Sequence, residues 1–298
     1  MAKISVVINT LNEEKYLASC LESVKDFADE IVVVDMESED KSIKIAKKFA
    51  AHVYTHKRLS YVEPARNFAI KKATGDWILL LDPDEEVQPE LITKLRKIVE
   101  DNSADYVRIP RKNIIFGKWI EHTGWWPDYN IRFFKRGRVQ WSDEIHSIPI
   151  TKGKALDLEP KEDSAIIHHH YESVEQYVNR LNRYTSVQAK LQKEKGYKFQ
   201  WTDLIKKPSN EFFSRYFAGL GYKDGLHGLA LSLLQGFSEL VIYLKVWQDE
   251  KFKEQNIKVD AVIASVKETE SDMHYWQADT LLKEVGGLRH RIRRKLRI

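Results

Sequence analysis

The stretch Trp77-Ile78-Leu79-Leu80-Leu81-Asp82-Pro83-Asp84-Glu85 is a run of bulky apolar residues that ends in clustered carboxylates. An apolar run of this length, bounded by Gly75 and Pro83, is typical of a strand buried on both faces in a parallel sheet. Ligands bind outside the carboxyl ends of such strands. Asp82 and Asp84 would then share one rim, where their hard oxygens suit a divalent cation held against a diphosphate.

Two earlier segments strengthen this interpretation, because an Asp-x-Asp pair alone is usually only solvated. The apolar run Ile4 to Asn9 is followed by Thr10-Leu11-Asn12-Glu13, and the run from Glu30 ends in an acid, Asp35. Three predicted strands therefore end in polar residues, as expected for the ligand-binding edge of an α/β sheet.

Strand and helix patterns alternate over the first 110 residues, which predicts a doubly wound α/β fold with a mostly parallel, Rossmann-like sheet. No Gly-x-Gly-x-x-Gly follows the first strand and no lysine-containing phosphate loop occurs, so the sequence argues against dinucleotide dehydrogenases and P-loop NTPases. The predicted strands are 4–9, 30–35, 52–55, 77–82 and 105–109, and the predicted helices are 14–25, 40–50, 63–73 and 88–100.

Length and composition favour one α/β domain with an appendage. The chain has 298 residues, of which 43% are hydrophobic and 31% charged, as in ordinary soluble proteins. Its single cysteine, Cys20, permits no intramolecular disulfide and favours a reducing, cytoplasmic setting. We expect Cys20 to be a small core residue on a helix and not a nucleophile.

The chain changes character twice after the predicted sheet. Residues 111–160 are irregular and rich in tryptophan, which suits either the wall of a substrate cleft or aromatic packing beneath loops. After Ile167 the pattern is helical. We therefore predict an α/β domain with a ligand-binding edge over residues 1–165 and a helical C-terminal region over residues 166–298.

The helical region carries two features that suit a membrane surface. Leu226 to Trp247 is mostly apolar but is interrupted by polar residues, so it falls short of a clean span of roughly 20 residues. The last ten residues form a basic tail that suits anionic lipid, and no nucleic-acid-binding module is recognisable. The same helices also fit a plain helical subdomain or a dimer face, and no signal peptide is apparent.

Four segments of the chain resemble family 2 glycosyltransferases of the GT-A fold, both in their residues and in their order and spacing. Later segments resemble the branch that contains lipopolysaccharide core β-1,4-glucosyltransferases. The first set is Ser5 to Glu13, Glu30 to Asp35, Arg66-Asn67 with Ala73 to Trp77, and Leu81 to Glu85; the second is Gly124 to Arg136, Trp141 to His146, His168 to Tyr171, and Asp224-Gly225.

The resemblance implies a nucleoside site on the first two strands. Thr10, Asn12 and Asp35 would contact uracil and ribose, whose N–H and hydroxyl groups suit amide and carboxylate partners. Arg66 would lie beside the base, and Arg132 would bind phosphate. Without the resemblance, Arg66 would be interpreted as a helix-surface residue.

The resemblance also implies a metal-dependent reaction. Asp82 and Asp84 would bring Mn²⁺ or Mg²⁺ to the diphosphate, with Asp84 as the direct ligand. His168 matches a histidine of this branch and would complete the metal site or contact the diphosphate. The triple histidine 168–170 could instead be a helix entry without a ligand role.

Inversion at the anomeric carbon requires a carboxylate that takes the proton of the acceptor hydroxyl. Asp128 and Glu144 are the candidates. The chain departs from the branch here, since His146 is followed by Ser147 where a glutamate is common. Either Glu144 replaces that acid or the base is Asp128.

The sequence thus predicts an inverting, metal-dependent glycosyltransferase that moves a hexose, with glucose favoured, from a UDP-sugar to a hydroxyl of a cell-surface glycan or lipopolysaccharide-type acceptor. It would act in the cytoplasm, peripherally at the inner membrane face. One alternative is a polyprenyl-phosphate glycosyltransferase, which the apolar helices suit. The other is a non-catalytic nucleotide-sugar-binding scaffold, which the missing acid after His146 suits.

Overall fold

The chain forms two compact units in the computed structural model, which describes residues 2–59, 63–141 and 149–298. The first unit comprises Met1–Ile114 and Pro127–His170, and the second comprises Ile115–Trp126 and Tyr171–Ile298. The boundary predicted after residue 165 falls just before a strand of the first unit, Ile166–Tyr171.

The first unit contains the predicted alternation of strands and helices, which is confirmed. Four parallel strands lie side by side in the order β3, β2, β1, β4. The strands are β1 (Ile4–Thr10), β2 (Glu30–Asp35), β3 (His52–Thr55) and β4 (Trp77–Leu81), and the helices are α1 (Leu17–Val24), α2 (Ser42–Lys48), α3 (Glu63–Lys72) and α4 (Pro89–Glu100).

The central strands are apolar on both faces because helices cover both sides of the sheet. In β4, Leu79 and Leu81 pack into one apolar cluster, and Ile78 and Leu80 pack into the cluster on the other side. Burial of each such side chain stabilises the fold by about 1.5–3 kcal/mol. Cys20 is fully buried on α1 in the first cluster, which confirms its predicted core role.

The sheet continues beyond β4 in antiparallel sense, so it is mixed. Strand β8 pairs antiparallel with β4, and the order continues β8, β6, β12, β5. The remaining strands are β5 (Glu85–Val87), β6 (Tyr106–Ile115), β7 (Lys118–Trp119), β8 (Asp128–Lys135), β9 (Val139–Gln140), β10 (Ile150–Thr151), β11 (Ala155–Asp157) and β12 (Ile166–Tyr171).

Strand β12 corrects the helical interpretation of the residues after Ile167. It pairs with β5 in antiparallel register, with His168 opposite Glu85. The histidine triplet therefore lies on a strand and is not a helix entry. Backbone pairing with the segment that follows the acidic turn determines this structure, and no local pattern in the triplet signals it.

The second unit is helical, as predicted for the C-terminal region. Among the described residues, helix α7 (Leu226–Asp249) is by length and composition apolar enough to cross a membrane. In its most apolar 18-residue segment, 33% of the residues are buried. The helices are α5 (Val174–Glu194), α6 (Asp203–Phe213), α7 (Leu226–Asp249), α8 (Val259–Glu284) and α9 (Leu288–Leu296).

Gly75 lies where the chain enters β4, and its substitution tests this packing. A Cβ there would lie 2.7 Å from Ser5 Oγ and 2.9 Å from the Lys3 carbonyl oxygen. We expect Gly75→Ala to lower the free energy of unfolding by about 1–3 kcal/mol in urea titrations, because the neighbouring backbone must shift. Lys71→Ala, at an exposed site, should change it by less than about 0.5 kcal/mol. Equal stability of the two variants would contradict this packing.

Candidate functional site

The acidic segment after β4 forms a tight turn. Pro83 occupies its second position, where its restricted φ favours a turn. The Glu85 amide donates to the Asp82 carbonyl oxygen at 3.0 Å, and the Asp82 amide donates to Glu85 Oε2 at 2.9 Å. These two reciprocal bonds hold the acids in one conformation, with the Glu85 side chain fully buried.

Arg132 lies beneath this turn and is 2% exposed. Its guanidinium donates to Asp82 Oδ2 and, at 2.6 Å, to Glu85 Oε1. Burial alone would lower the pKa of Arg132, but the two carboxylates outweigh burial and raise it. Arg132 is therefore a buried cation beneath the turn, paired with Asp82 and Glu85, and the phosphate contact that the resemblance implies for it stays a prediction.

Asp82 is likewise occupied by protein partners. Arg66 donates to its Oδ1 at 2.7 Å, while Arg132 holds its Oδ2. Burial would raise the pKa of Asp82, but the positive charges of Arg132, Arg66 and Arg111 outweigh burial and lower it. Asp82 is thus an ionised partner of arginines, and it is not brought together with the other predicted metal ligands.

The structure does bring Asp84 and His168 together. Pairing of β12 beside the turn places the His169 amide 2.9 Å from the Asp84 carbonyl oxygen, which it donates to. Asp84 Oδ2 then lies 3.6 Å from His168 Nε2, and the histidine is 4% exposed. Two residues separated by 84 positions in sequence therefore face one another.

A second layer of contacts orients His168. Its Nδ1 lies 2.6 Å from Asn113 Oδ1, and the amide nitrogen of Asn113 donates to Asp128 Oδ2 at 3.2 Å. Because the Asn113 oxygen can only accept, His168 Nδ1 carries a proton, and in the neutral imidazole Nε2 is the acceptor. Nε2 faces Asp84 and also lies 3.3 Å from His170 Nδ1.

This donor set fits a divalent cation. A carboxylate oxygen and an imidazole lone pair that face each other at 3.6 Å are both acceptors, so a cation between them relieves their repulsion. The described part of the chain contains no group of three metal-ligating side chains. Asp84 and His168 would therefore supply only part of a coordination shell.

Asp128 is held by Arg111 at the start of β8. The Arg111 Nε donates to Asp128 Oδ2 at 2.9 Å, and Asn113 donates to the same oxygen. Burial would raise the pKa of Asp128, but Arg111 and Asn113 outweigh burial and lower it. The other candidate base, Glu144, lies outside the described residues.

The ends of β1 and β2 carry buried acceptors that lack partners. Thr10 and Asp35 lie opposite each other in the parallel register, and both are fully buried. Asp35 Oδ2 accepts from the Ser38 amide at 3.1 Å, whereas Asp35 Oδ1 and Thr10 Oγ1 have no hydrogen-bond partner among the described residues. Such atoms are costly to bury unless a ligand pairs with them.

Asn12 has a structural role in the loop after β1, and the nucleoside contact that the resemblance implies for it stays a prediction. Its φ of 55° places it in the left-handed region, which asparagine tolerates. Its amide donates to Ser38 Oγ at 2.9 Å, and its Oδ1 accepts from the Glu39 amide at 2.7 Å. Asn12 therefore connects the loop after β1 to the loop after β2.

Arg66 and Asn67 lie on α3, and the side chains of both contact Trp141. Asn67 donates to the Trp141 carbonyl oxygen at 2.6 Å and accepts from its amide at 3.1 Å, like a strand neighbour. Arg66 lies 6.0 Å from the Trp141 ring centroid. These contacts anchor the residue that precedes the segment 142–148.

The sequence predicted no role for three residues that contact the candidate site residues, namely Glu85, Arg111 and Asn113. Arg111 and Asn113 are two residues apart on β6, so they project from the same face. That spacing was a usable signal, but only once β6 was known to lie beside β8 and β12.

The chain is similar to known proteins in sequence and in fold. Residues 5–157 match the family described as glycosyl transferase family 2. An uncharacterized glycosyltransferase of Rickettsia typhi is 30% identical over 274 residues, which cover 89% of this chain and 91% of that protein. LpsC of Rhizobium meliloti, a lipopolysaccharide core biosynthesis glycosyltransferase, is 24% identical over 84% of this chain and 94% of its own. A solved fragment of S. aureus TarS covers 87% of this chain and 95% of that fragment at 17% identity, with a TM-score of 0.43.

Removal of the buried guanidinium tests the arrangement of the acidic turn. We expect Arg132→Met to lower the free energy of unfolding by about 3–5 kcal/mol, because the buried Glu85 carboxylate would keep only its longer 3.4 Å contact with Arg111. Arg108→Met on β6 is the matched control, since it breaks an exposed pair with Asp157 that contributes at most about 1 kcal/mol. Urea unfolding of both variants measures the difference, and equal losses would contradict the role of Arg132.

Proposed function

The chain belongs to glycosyl transferase family 2, and we propose that it is an inverting, metal-dependent hexosyltransferase that uses a UDP-sugar, with glucose favoured. The observation that carries this proposal is the pair of buried, unpartnered oxygens of Thr10 and Asp35 on the same sheet as the facing pair of Asp84 and His168. The acceptor is a hydroxyl of a surface glycan or lipopolysaccharide-type molecule, which the similarity to LpsC supports.

The donor nucleoside binds at the ends of β1 and β2. Asp35 Oδ1 is a buried carboxylate oxygen, and it accepts a hydrogen bond from the imide N–H or a ribose hydroxyl. Thr10 Oγ1 both donates and accepts, so it pairs with a neighbouring oxygen of the nucleoside. Arg66 stays at the side of this site through its bonds to Asp82 and its position over Trp141.

Asp84 Oδ2 and His168 Nε2 would hold the cation, Mn²⁺ or Mg²⁺. When bound, the cation would neutralise charge that develops on the leaving diphosphate. Asn113 accepts from His168 Nδ1, so in the neutral imidazole Nε2 is the nitrogen that would bind the cation in place of its contact with His170. Arg132 and Glu85 hold the turn that presents Asp84, so the donor set is prepared before the substrate arrives.

We assign the general base to Glu144 and a positioning role to Asp128. The base takes the proton of the acceptor hydroxyl while the hydroxyl oxygen bonds to the anomeric carbon. The bond from that carbon to the diphosphate breaks on the opposite face. A base is most effective when its pKa is near the working pH. Asp128 is already paired with Arg111 and accepts from Asn113, whose oxygen accepts from His168, so these contacts favour the positioning role.

The reaction takes place in the cytoplasm at the inner membrane face. One buried cysteine suits a reducing compartment, and a glycolipid acceptor would be held in a bilayer.

Nucleotide binding tests the donor site. We expect UDP to raise the melting temperature more than GDP does, and Mn²⁺ to increase the shift. Asp35→Asn should weaken UDP binding roughly 10- to 100-fold, because a hydrogen bond to a buried charge is lost. Asp84→Asn should remove the increase caused by Mn²⁺, and UDP binding in the absence of metal should stay unchanged. Thermal-shift titrations measure all of these effects.

Asp101→Asn is the matched control, because it changes an exposed carboxylate at the end of α4. It should reproduce the titrations of the unaltered protein. A shift with UDP that survives Asp35→Asn unchanged would refute the nucleoside site. A Mn²⁺ effect that survives Asp84→Asn would refute the metal assignment alone.

Paired substitutions separate the two acids. We expect Glu144→Gln to lower kcat by about 10²–10⁴-fold with UDP binding intact, because the proton acceptor is lost. Asp128→Asn should lower kcat less and weaken the Mn²⁺ dependence, since His168 loses its orientation. UDP release from UDP-glucose, measured with and without a deacylated lipopolysaccharide core oligosaccharide, provides the readout. A larger loss in Asp128→Asn at unchanged Mn²⁺ dependence would assign the base to Asp128.

A further inference from the structure

Helix α9 holds the positive charge of this protein. Six of the ten residues from 288 to 297 are arginine or lysine, and none is acidic. The formal charge of the whole chain, +4, would be −2 without these six residues. The chain is therefore slightly acidic apart from one short basic helix.

The polar side of α9 faces its own protein. Arg294 donates to Asp279 at 2.9 Å, and Arg297 donates to Asp272 at 2.7 Å, both on α8. Asp279 is 5% exposed, whereas the Arg294 side chain is 39% exposed, so this pair lies at the protein surface with its carboxylate buried. Ion pairs to α8 therefore help to hold α9 in one orientation.

The apolar side of α9 faces outward. Leu288, Ile292 and Leu296 are spaced four residues apart, which places them along one face of the helix. Their exposures are 70%, 48% and 58%. A surface helix of a soluble protein normally buries such a stripe against its core. The arrangement here is the reverse, because the helix is held by arginines and presents its leucine and isoleucine side chains to the surroundings.

Basic residues border this apolar stripe on both sides. Arg289 and Arg293 follow one edge, and Arg291 and Lys295 follow the other, as the 3.6-residue period requires. All four are exposed. Within the described part of the chain, the ion pairs of α9 involve Arg294 and Arg297, so the bordering charges are not committed to carboxylates.

We propose that α9 docks this protein on an anionic phospholipid surface. The stripe of Leu288, Ile292 and Leu296 enters the boundary between headgroups and acyl chains, and the four bordering cations contact lipid phosphates. The ion pairs to α8 keep the stripe directed outward before contact. The inference does not depend on the identity of the donor or the acceptor.

The charge pattern favours lipid over two other occupants. A second copy of the chain that packed stripe against stripe would bring the same cationic borders together, and like charges oppose that contact. A nucleic acid would satisfy the cations through its phosphates but would leave the three apolar side chains in water. An anionic bilayer satisfies both parts of the helix.

Vesicle sedimentation with the full-length protein tests the proposal. The unaltered protein should pellet with vesicles of phosphatidylcholine and phosphatidylglycerol at 7:3 and remain in solution with phosphatidylcholine alone. Substitution of Leu288, Ile292 and Leu296 together by Gln should weaken binding at least about tenfold. Arg289→Gln and Lys295→Gln should each weaken it about fivefold, and salt should do likewise.

The matched control replaces three apolar residues of similar exposure elsewhere, Ile150, Val174 and Leu191, by Gln. It should bind vesicles like the unaltered protein, and all variants should keep the UDP-induced thermal shift, which shows separately whether the nucleotide site is intact. Vesicle binding that survives the triple α9 substitution would overturn the proposal. So would a dimer, seen by light scattering, that the same substitution dissociates, or duplex DNA binding in place of vesicle binding.

Discussion

The acidic edge of the sheet depends on one buried cation, the Arg132 guanidinium. It lies between the carboxylates of Asp82 and Glu85 and is almost fully shielded from water. Without it, Glu85 would keep only a 3.4 Å contact with Arg111, and Asp82 would keep only Arg66, so buried negative charge would be compensated less fully. Because the turn is held in this way, Asp84 is the acid left to face His168. The acidic segment is thus divided between two acids that are paired with arginines and one that faces a histidine.

The antiparallel half of the sheet supplies the partners of Asp84. Strand β12 brings His168, β6 brings Asn113, and β8 brings Asp128, and hydrogen bonds connect these three side chains in sequence. This chain of contacts gives His168 a proton on Nδ1, and Arg111 together with Asn113 lowers the pKa of Asp128. The parallel half, in contrast, ends in oxygens of Thr10 and Asp35 that have no hydrogen-bond partner among the described residues. Under the proposed function, the nucleoside would bind at the parallel half and the metal-bound diphosphate at the antiparallel half.

The proposed transferase activity and the proposed docking of α9 on a lipid surface are physically consistent with each other. A transferase whose acceptor is a glycolipid meets that acceptor at a surface, and docking through α9 would raise the local concentration of enzyme there without any new contact to the substrate. The exposed stripe of α9 needs no apolar core of its own, because ion pairs to Asp279 and Asp272 position the helix. The proposed donor site and the proposed docking helix belong to separate units of the chain.

The sequence by itself determined the parallel half of the fold. Strands β1, β2 and β4 are apolar runs between turns, and such runs are a local pattern that can be recognised without the tertiary structure. It also located Asp35 and Asp84, because residues that follow such strands lie at one edge. Only the tertiary structure decided which acid is free for a cation. Asp82 and Asp84 are alike in sequence, and they differ because Arg132 and Arg66 reach Asp82 from strands and helices far away along the chain. Charge pairing between distant residues leaves no periodic signal, so no local pattern could assign it.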